Sequence, residues 1–219
     1  MSAFISADIP KITALKPDLV LTFSDLQADI VATLVREGIA VHAFNQRTVD
    51  EILDMIRTLG SLVDASARAN KLADGLTATL ERVRAQSAAR PDHPKVYFEE
   101  WDEPMISGIA WVSELIGLAG GADIFPERAA CPLARERIIA DGAEVVARQP
   151  DIILGSWCGK RFRPAAVAAR AGWQDIPAVR DGELHEVKSP LILQPGPAAL
   201  TDGVDAMQRI FSHWAQRVH

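Results

Sequence analysis

ITALKPDLVLTFS, from Ile12 to Ser24, recurs in outline as EVVARQPDIILGSW, from Glu144 to Trp157, with Pro17-Asp18 answered by Pro150-Asp151. In each copy a helix-like stretch (Ile12 to Leu15; Val145 to Arg148) stops at Pro-Asp, because proline disfavours helical geometry in the residue before it. An uninterrupted apolar run comes next and reads as a strand buried on both faces, as in parallel sheets. In the first copy the strand Leu19 to Phe23 leads through a polar loop to a helix from about Gln27 to Glu37. Gly38 caps that helix, and a second apolar run, Ile39 to Phe44, completes a βαβ unit. The second copy continues through the loop Gly155 to Arg163, a helix Pro164 to Arg170, Gly172 and a strand near Pro177 to Val179.

The expected class is therefore α/β, with two Rossmann-like lobes, each built on a parallel central sheet. Between the copies, Thr48-Val-Asp-Glu51 fits a capping box that opens a helix to Leu59. A second helical stretch runs from roughly Asp64 to Ala88, with Leu72, Leu76, Leu80 and Val83 on one face. At about 1.5 Å per residue its 25 or so positions span about 37 Å, the breadth of a small domain. It reads as one long α-helix joining the lobes; the alternative is a helix packed within one of them. A Gly/Ser/Pro hinge is not what this Ala/Leu/Arg pattern describes. The expected organisation is an N-terminal lobe over residues 1–60, a linker helix over 61–92 and a C-terminal lobe over 93–219. The second lobe begins with the strand Val96 to Glu100, a loop WDEPMISG and an amphipathic helix Trp111 to Leu118. The first lobe has no counterpart to these, so it is expected to be truncated and the less stable of the two.

Composition narrows the function. The chain has 219 residues and 48% hydrophobic content, enough for a core, and 23 Lys+Arg against 29 Asp+Glu give a formal charge of −6. A broad basic face for nucleic acid is not supplied. Cys131 and Cys158 show neither zinc spacing nor a disulfide framework, and His42, His93, His185, His213 and His219 show no ligand spacing, so no metal site is expected. No run approaches the ~18 apolar residues of a transmembrane segment. MSAFISADIPK lacks a basic n-region and an apolar h-region, so no export signal is expected, and a natural start at Met1 would make the chain cytoplasmic.

Open parallel sheets bind ligands beyond the carboxyl ends of their strands. Phe23, Phe44, Trp101, Trp157 and Phe162 all fall at or just past such ends, as in a cleft that grips a large planar or apolar ligand. Core packing is the alternative for any one of them. Ser24, Gln27 and Ser107 are candidate hydrogen-bonding partners, and Lys160, Arg161 and Arg163 would suit an anion. Enzyme readings fare less well. GSWCGKR (Gly155 to Arg161) has one residue too few between its glycines for a Walker loop, and Arg161 stands where Ser or Thr is needed. Cys158 has no recognisable His/Asp partner for nucleophilic work. The acidic string Glu99, Glu100, Asp102, Glu103 alternates across a strand and reads as a solvated rim. No catalytic residue is assigned. Pro190, Pro195 and Pro197 stiffen a loop before a last helix from about Ala198 to Arg217.

ALKPDLVLTF (Ala14 to Phe23), GIAVHAF (Gly38 to Phe44), KVYFEEWDEPMISG (Lys95 to Gly108), WVSELIGLAGGADIF (Trp111 to Phe125) and RQPDIILGSWCGK (Arg148 to Lys160) together resemble a known family. This is the periplasmic substrate-binding proteins of ABC importers with a helical interlobe linker, which take cobalamin, iron-siderophores and haem; the signature is most similar to the cobalamin-binding branch. The resemblance implies non-catalytic capture of cobalamin or a related corrinoid in an interlobe cleft, as a bound ligand with no cofactor, at a periplasmic location. It implies that the loop starting at Phe23, the loop after Tyr97-Phe98 and the loop after Leu154 line the cleft; with the aromatic strand ends, this makes Phe23, Ser24, Gln27, Phe44, Trp101, Ser107, Trp157, Lys160 and Phe162 the expected ligand-binding residues. It also implies that Asp29, early in the first-lobe helix, docks on basic residues of the ABC permease subunits. An iron-siderophore or haem receptor is the alternative ligand class; a cytosolic corrinoid-handling or Cys-dependent enzyme is the alternative of another kind.

Overall fold

A computed structural model describes residues 6–218; Met1 to Ile5, which open the segment read for an export signal, and His219 lie outside the described residues. The chain divides into two compact units that part between Gln46 and Arg47.

The first unit opens with α1 (Ile9–Ala14), whose first turn is capped by the Asp8 side chain accepting from the Lys11 backbone N–H. Lys16 leaves the helix at φ +50°, immediately before Pro17, which disfavours helical geometry in the residue that precedes it. Next come β1 (Val20–Phe23), a 3-10 turn (Asp25–Gln27), α2 (Ala28–Arg36) and β2 (Val41–Phe44). α2 ends at Gly38, φ +77°: the Ile39 N–H donates to Leu34 O at 3.1 Å and the Gly38 N–H to Val35 O at 3.0 Å. That pair of bonds is a Schellman stop, which favours glycine because the left-handed conformation has no Cβ to clash. β1 and β2 pair in parallel from Val20 opposite Val41 to Phe23 opposite Phe44, the βαβ unit expected. Among the described residues Leu34 is this unit's one fully buried apolar side chain, while Leu15, Leu21, Leu26 and Val35 are exposed. A two-stranded unit with so small a core buries little apolar surface of its own.

The second unit begins with α3 (Val49–Leu62), which Thr48 and Glu51 open as the expected capping box, and continues in the long α4 (Ser66–Ala88). α3 therefore belongs to the second unit, although it lies largely within the span read as the N-terminal lobe. Leu72 is exposed, contrary to the face read for it. The buried stripe is Ala69, Ala73, Leu76, Leu80 and Val83, in which two alanines let α3 approach closely. At the crossing, a Cβ built on Gly60 would lie 2.2 Å from Ala69 Cβ. Gly60→Ala is expected to lower the unfolding free energy by about 1–2 kcal/mol through this overpacking, read as a shifted urea midpoint.

After α4 come β3 (Lys95–Asp102), β4 (Met105–Ser107), α5 (Ala110–Leu118), β5 (Ala122–Asp123), α6 (Pro126–Ala129), β6 (Ile138–Ile139), α7 (Ala143–Arg148) and β7 (Ile152–Gly155). α8 (Pro164–Ala168), α9 (Pro177–Arg180), β8 (Leu184–Glu186), α10 (Ser189–Ile192) and α11 (Val204–Arg217) complete the chain, with a π-helical segment, Ala199–Gly203, leading into α11. The strands form one sheet in the order β6-β4-β3-β7-β8, with β5 also paired to β3. β5, β7 and β8 run parallel to their neighbours, and Val96 to Phe98 and Ile152 to Leu154 are buried on both faces.

The sheet is mixed rather than wholly parallel. WDEPMISG is not a loop: β3 runs to Asp102, turns through Glu103-Pro104 and returns as β4, antiparallel to β3 and to β6. The expected strand near Pro177 is the helix α9, because Pro177 occupies the first helical position, where its missing N–H and fixed φ are favourable. Asp181-Gly182 therefore links a helix to β8 instead of pairing two strands. α8 stops at Ala168, two residues short of the expected Arg170.

Candidate functional site

In the first unit the carboxyl ends of β1 and β2 place Phe23 and Phe44 side by side, both half-buried, with the Phe44 ring 4.3 Å from that of His42. Ser24, at φ +76°, caps the following turn: its Oγ accepts from the Leu26 N–H at 3.4 Å and donates to Asp25 at 3.0 Å. Gln27 folds back, its Oε1 accepting from the Phe23 N–H at 2.9 Å. Both polar side chains thus shape the loop that carries Phe23. Asp29 is exposed in the first turn of α2, where a carboxylate complements the helix dipole.

In the second unit the corresponding strand ends are built over a buried ion pair. Glu99, in the second half of β3, is 0% exposed and takes a bidentate contact from Arg170, 2.5 Å to Nη1 and 2.9 Å to Nη2. The same carboxylate accepts from Trp157 Nε1 at 2.9 Å and Tyr97 Oη at 3.0 Å. Four donors thus converge on two oxygens, the arrangement that makes a buried charge tolerable. Burial and the neighbouring Glu99 charge push the Tyr97 phenol well above its usual range, so it remains a proton donor. Burial opposes the Arg170 charge, yet the Glu99 hydrogen bonds and charge outweigh it and hold the guanidinium above its usual value.

Strand alternation sends the next residue the other way: Glu100 pairs with the buried Arg137 at 2.6 Å, and the buried Ser107 Oγ donates to Arg137 O at 3.3 Å. Asp102 pairs with Lys160, whose ammonium lies 4.0 Å over the Trp101 ring and 5.8 Å from that of Trp157. Burial raises the Asp102 carboxyl, but hydrogen bonding and attraction from Lys160 more than offset it and hold the group below its usual value. The acidic string is therefore not a solvated rim; Glu99, Glu100 and Asp102 each hold a separate cation.

A cavity of about 520 Å³ opens at these strand ends, between the β3–β4 hairpin, β6 and the segment after β7. Its walls include Met105, Ile139, Trp157 and Trp173, with Asp102, Glu103, Arg163 and Arg170 as the charged groups. Trp157 and Trp173 are 2% and 1% exposed, so they form a rigid, closely packed floor. Arg170 stacks over Trp173 at 4.6 Å. Lys160 lines a neighbouring cavity of about 440 Å³ together with Arg161, Glu186 and Lys188. Phe162 is 3% exposed and packs edge-to-face on Trp157 at 5.1 Å, over Gly155. Phe162 and Ser107 are thus core positions that support the site from beneath. Arg170, Trp173 and Glu99 carry the cavity and were not singled out as ligand residues. Their one sequence signal is a charge, Glu99, inside the apolar run of β3, which demands a partner. Both cysteines are free, Cys158 exposed and Cys131 half-buried. Among the described residues no group of His, Cys, Asp or Glu could hold a metal ion.

Indoles fixed by a buried ion pair thus lie beneath a cavity at the carboxyl ends of a sheet, where open α/β sheets hold their ligands. The chain belongs to the periplasmic binding protein family, whose profile matches residues 2–191. It is 24% identical over 212 residues to an ABC transporter substrate-binding lipoprotein of Bacillus subtilis, covering 93% of this chain and 64% of that one. It is 26% identical over 214 residues to the vitamin B12-binding protein of Vibrio cholerae, covering 94% and 71%. Among solved structures, S. aureus IsdE complexed with heme shares the fold at a TM-score of 0.78 with 18% identity, over 94% of this chain and 81% of that one. The chain thus spans about two thirds of the length of these curated relatives. Among the described residues no helix is long and apolar enough to cross a membrane.

Proposed function

We propose that the chain is the solute-binding component of an ABC importer and captures cobalamin or a related corrinoid, without catalysis and with no cofactor of its own. The observation that carries this reading is the set of aromatic strand ends: in the second unit Trp157 in the wall of a cavity of about 520 Å³ and Trp101 beneath Lys160 at the end of β3, and in the first the Phe23–Phe44 pair. Aromatic side chains at the strand ends and a partly apolar wall suit a large, mostly uncharged macrocycle. The vitamin B12-binding relatives, which match over 94% of this chain, support the choice of ligand. Asp29 would offer its exposed carboxylate to basic residues of the permease, and the protein would act in the periplasm or as an anchored lipoprotein.

A second reading rests on one observation. Lys160 is neutralised by Asp102, but the Arg161 and Arg163 guanidiniums form no ion pair among the described residues. Uncompensated cations beside the cavity favour an anionic ligand, an iron chelate or haem. Calorimetric titration with cyanocobalamin, a ferric siderophore and haemin separates the two. One-to-one binding of cyanocobalamin that weakens at least tenfold in Trp101→Ala, a half-buried position whose loss spares the core, is the expected result. Saturation by haemin or the siderophore alone, with loss in Arg163→Ala, would move the ligand to the second class.

A further inference from the structure

A third cavity, of about 410 Å³, lies between α4 and α11 and shares no residue with the strand-end site. Its walls include Arg90, Arg209, Ser212, His213, Gln86 and Gln208, and no carboxylate lines it. Arg90, just past the end of α4, is locked in place. Its Nη1 donates to Ser212 Oγ at 2.9 Å and its Nη2 to Ala119 O, while Nε is buried without a partner. The lock depends on Gly120, at φ +89°, where a Cβ would lie 2.1 Å from Arg90 Nη2. All Arg90 partners are neutral, and burial alone lowers its affinity for the proton with no carboxylate to compensate. A half-buried cation without a counter-charge is unusual, because desolvation is normally offset by pairing.

The remaining walls point the same way. Arg209 is exposed and forms no ion pair among the described residues. Gln86 Oε1 is occupied by donors from Gln208 at 3.0 Å and Arg82 at 3.4 Å, which leaves the Gln86 amide nitrogen to donate. From these positions we infer that the α4–α11 cavity is a second binding site, one that takes a phosphate-type oxyanion between Arg90 and Arg209 with Gln86 and His213 as further donors. Arginine forks match the oxygens of a phosphate group, and a fixed guanidinium loses little freedom on binding.

The same chemistry is presented by free phosphate and by the headgroup of an anionic phospholipid. Two titrations of the whole chain distinguish them: sodium phosphate followed by calorimetry at constant chloride, and sedimentation with vesicles of phosphatidylglycerol against vesicles of phosphatidylcholine. Saturable phosphate binding at about 1 mM or tighter, weakened at least tenfold in Arg209→Glu, supports a free-anion site. Binding confined to phosphatidylglycerol vesicles and lost in the same variant supports a headgroup site. No binding of either, or binding that Arg209→Glu leaves unchanged, overturns the assignment. Arg209 is exposed, so its replacement spares the fold, and an unchanged cyanocobalamin titration in the variant keeps this test separate from that of the strand-end site.

Discussion

Glu99→Ala is expected to lower the unfolding free energy by about 3–5 kcal/mol, the largest effect of any single polar substitution in the second unit. The carboxylate is fully buried, and its removal leaves Arg170 charged and without its partner. It also strips the acceptor from Trp157 Nε1 and from the buried Tyr97 phenol. The buried Trp157 and Tyr97 donors lose their bonds and cannot regain them from water, and it is this asymmetry that makes the single substitution severe. The double variant Glu99→Leu, Arg170→Leu removes charge and counter-charge together and is expected to recover more than half of the loss, since replacing a buried pair by apolar groups is often nearly neutral. Urea unfolding followed by tryptophan fluorescence measures both. A single-variant loss below about 1 kcal/mol would show that the pair is hydrated and does not anchor the cavity floor.

The βαβ unit of the first copy was legible because every signal in it is local: Pro17 stops one helix, Gly38 the next, and the strands between are unbroken apolar runs. The β3–β4 hairpin was not, because Asp, Glu and Pro at its turn are also the composition of a loop, and only pairing across the sheet distinguishes them. Pro177 misled for a related reason. Proline excludes the middle of a strand and of a helix alike but suits the first turn of a helix, and the short apolar run around it fits either element. The aromatic strand ends could be read as positions but not as roles. Trp101 and Phe162 look alike in sequence, yet one is half-buried beneath Lys160 and the other lies in the core. The Glu99–Arg170 contact spans 71 residues and had no local pattern to announce it.

Gly155→Ala should be nearly as damaging as the loss of Glu99, although it adds a single methyl group. At the end of β7 the Phe162 ring lies directly on the backbone, so that a Cβ at 155 would sit 1.9 Å from Phe162 Cδ2 and 2.1 Å from Cε2. Neither atom can yield by the ångström or more required without the ring leaving its place, because Trp157 closes the other side. Displacement forfeits the burial of a phenylalanine, so a loss of about 3 kcal/mol is expected. It also carries the neighbouring Lys160 and Arg163 away from the two strand-end cavities. Ligand affinity should therefore fall together with stability, whereas Gly60→Ala, at the α3–α4 crossing, should lower stability alone. The cause is tested by a cycle with Phe162→Ala. With the ring absent, Gly155→Ala should cost less than about 1 kcal/mol, the difference being the coupling of two residues in contact. Equal costs in both backgrounds would mean that the glycine is required for some reason other than the ring above it.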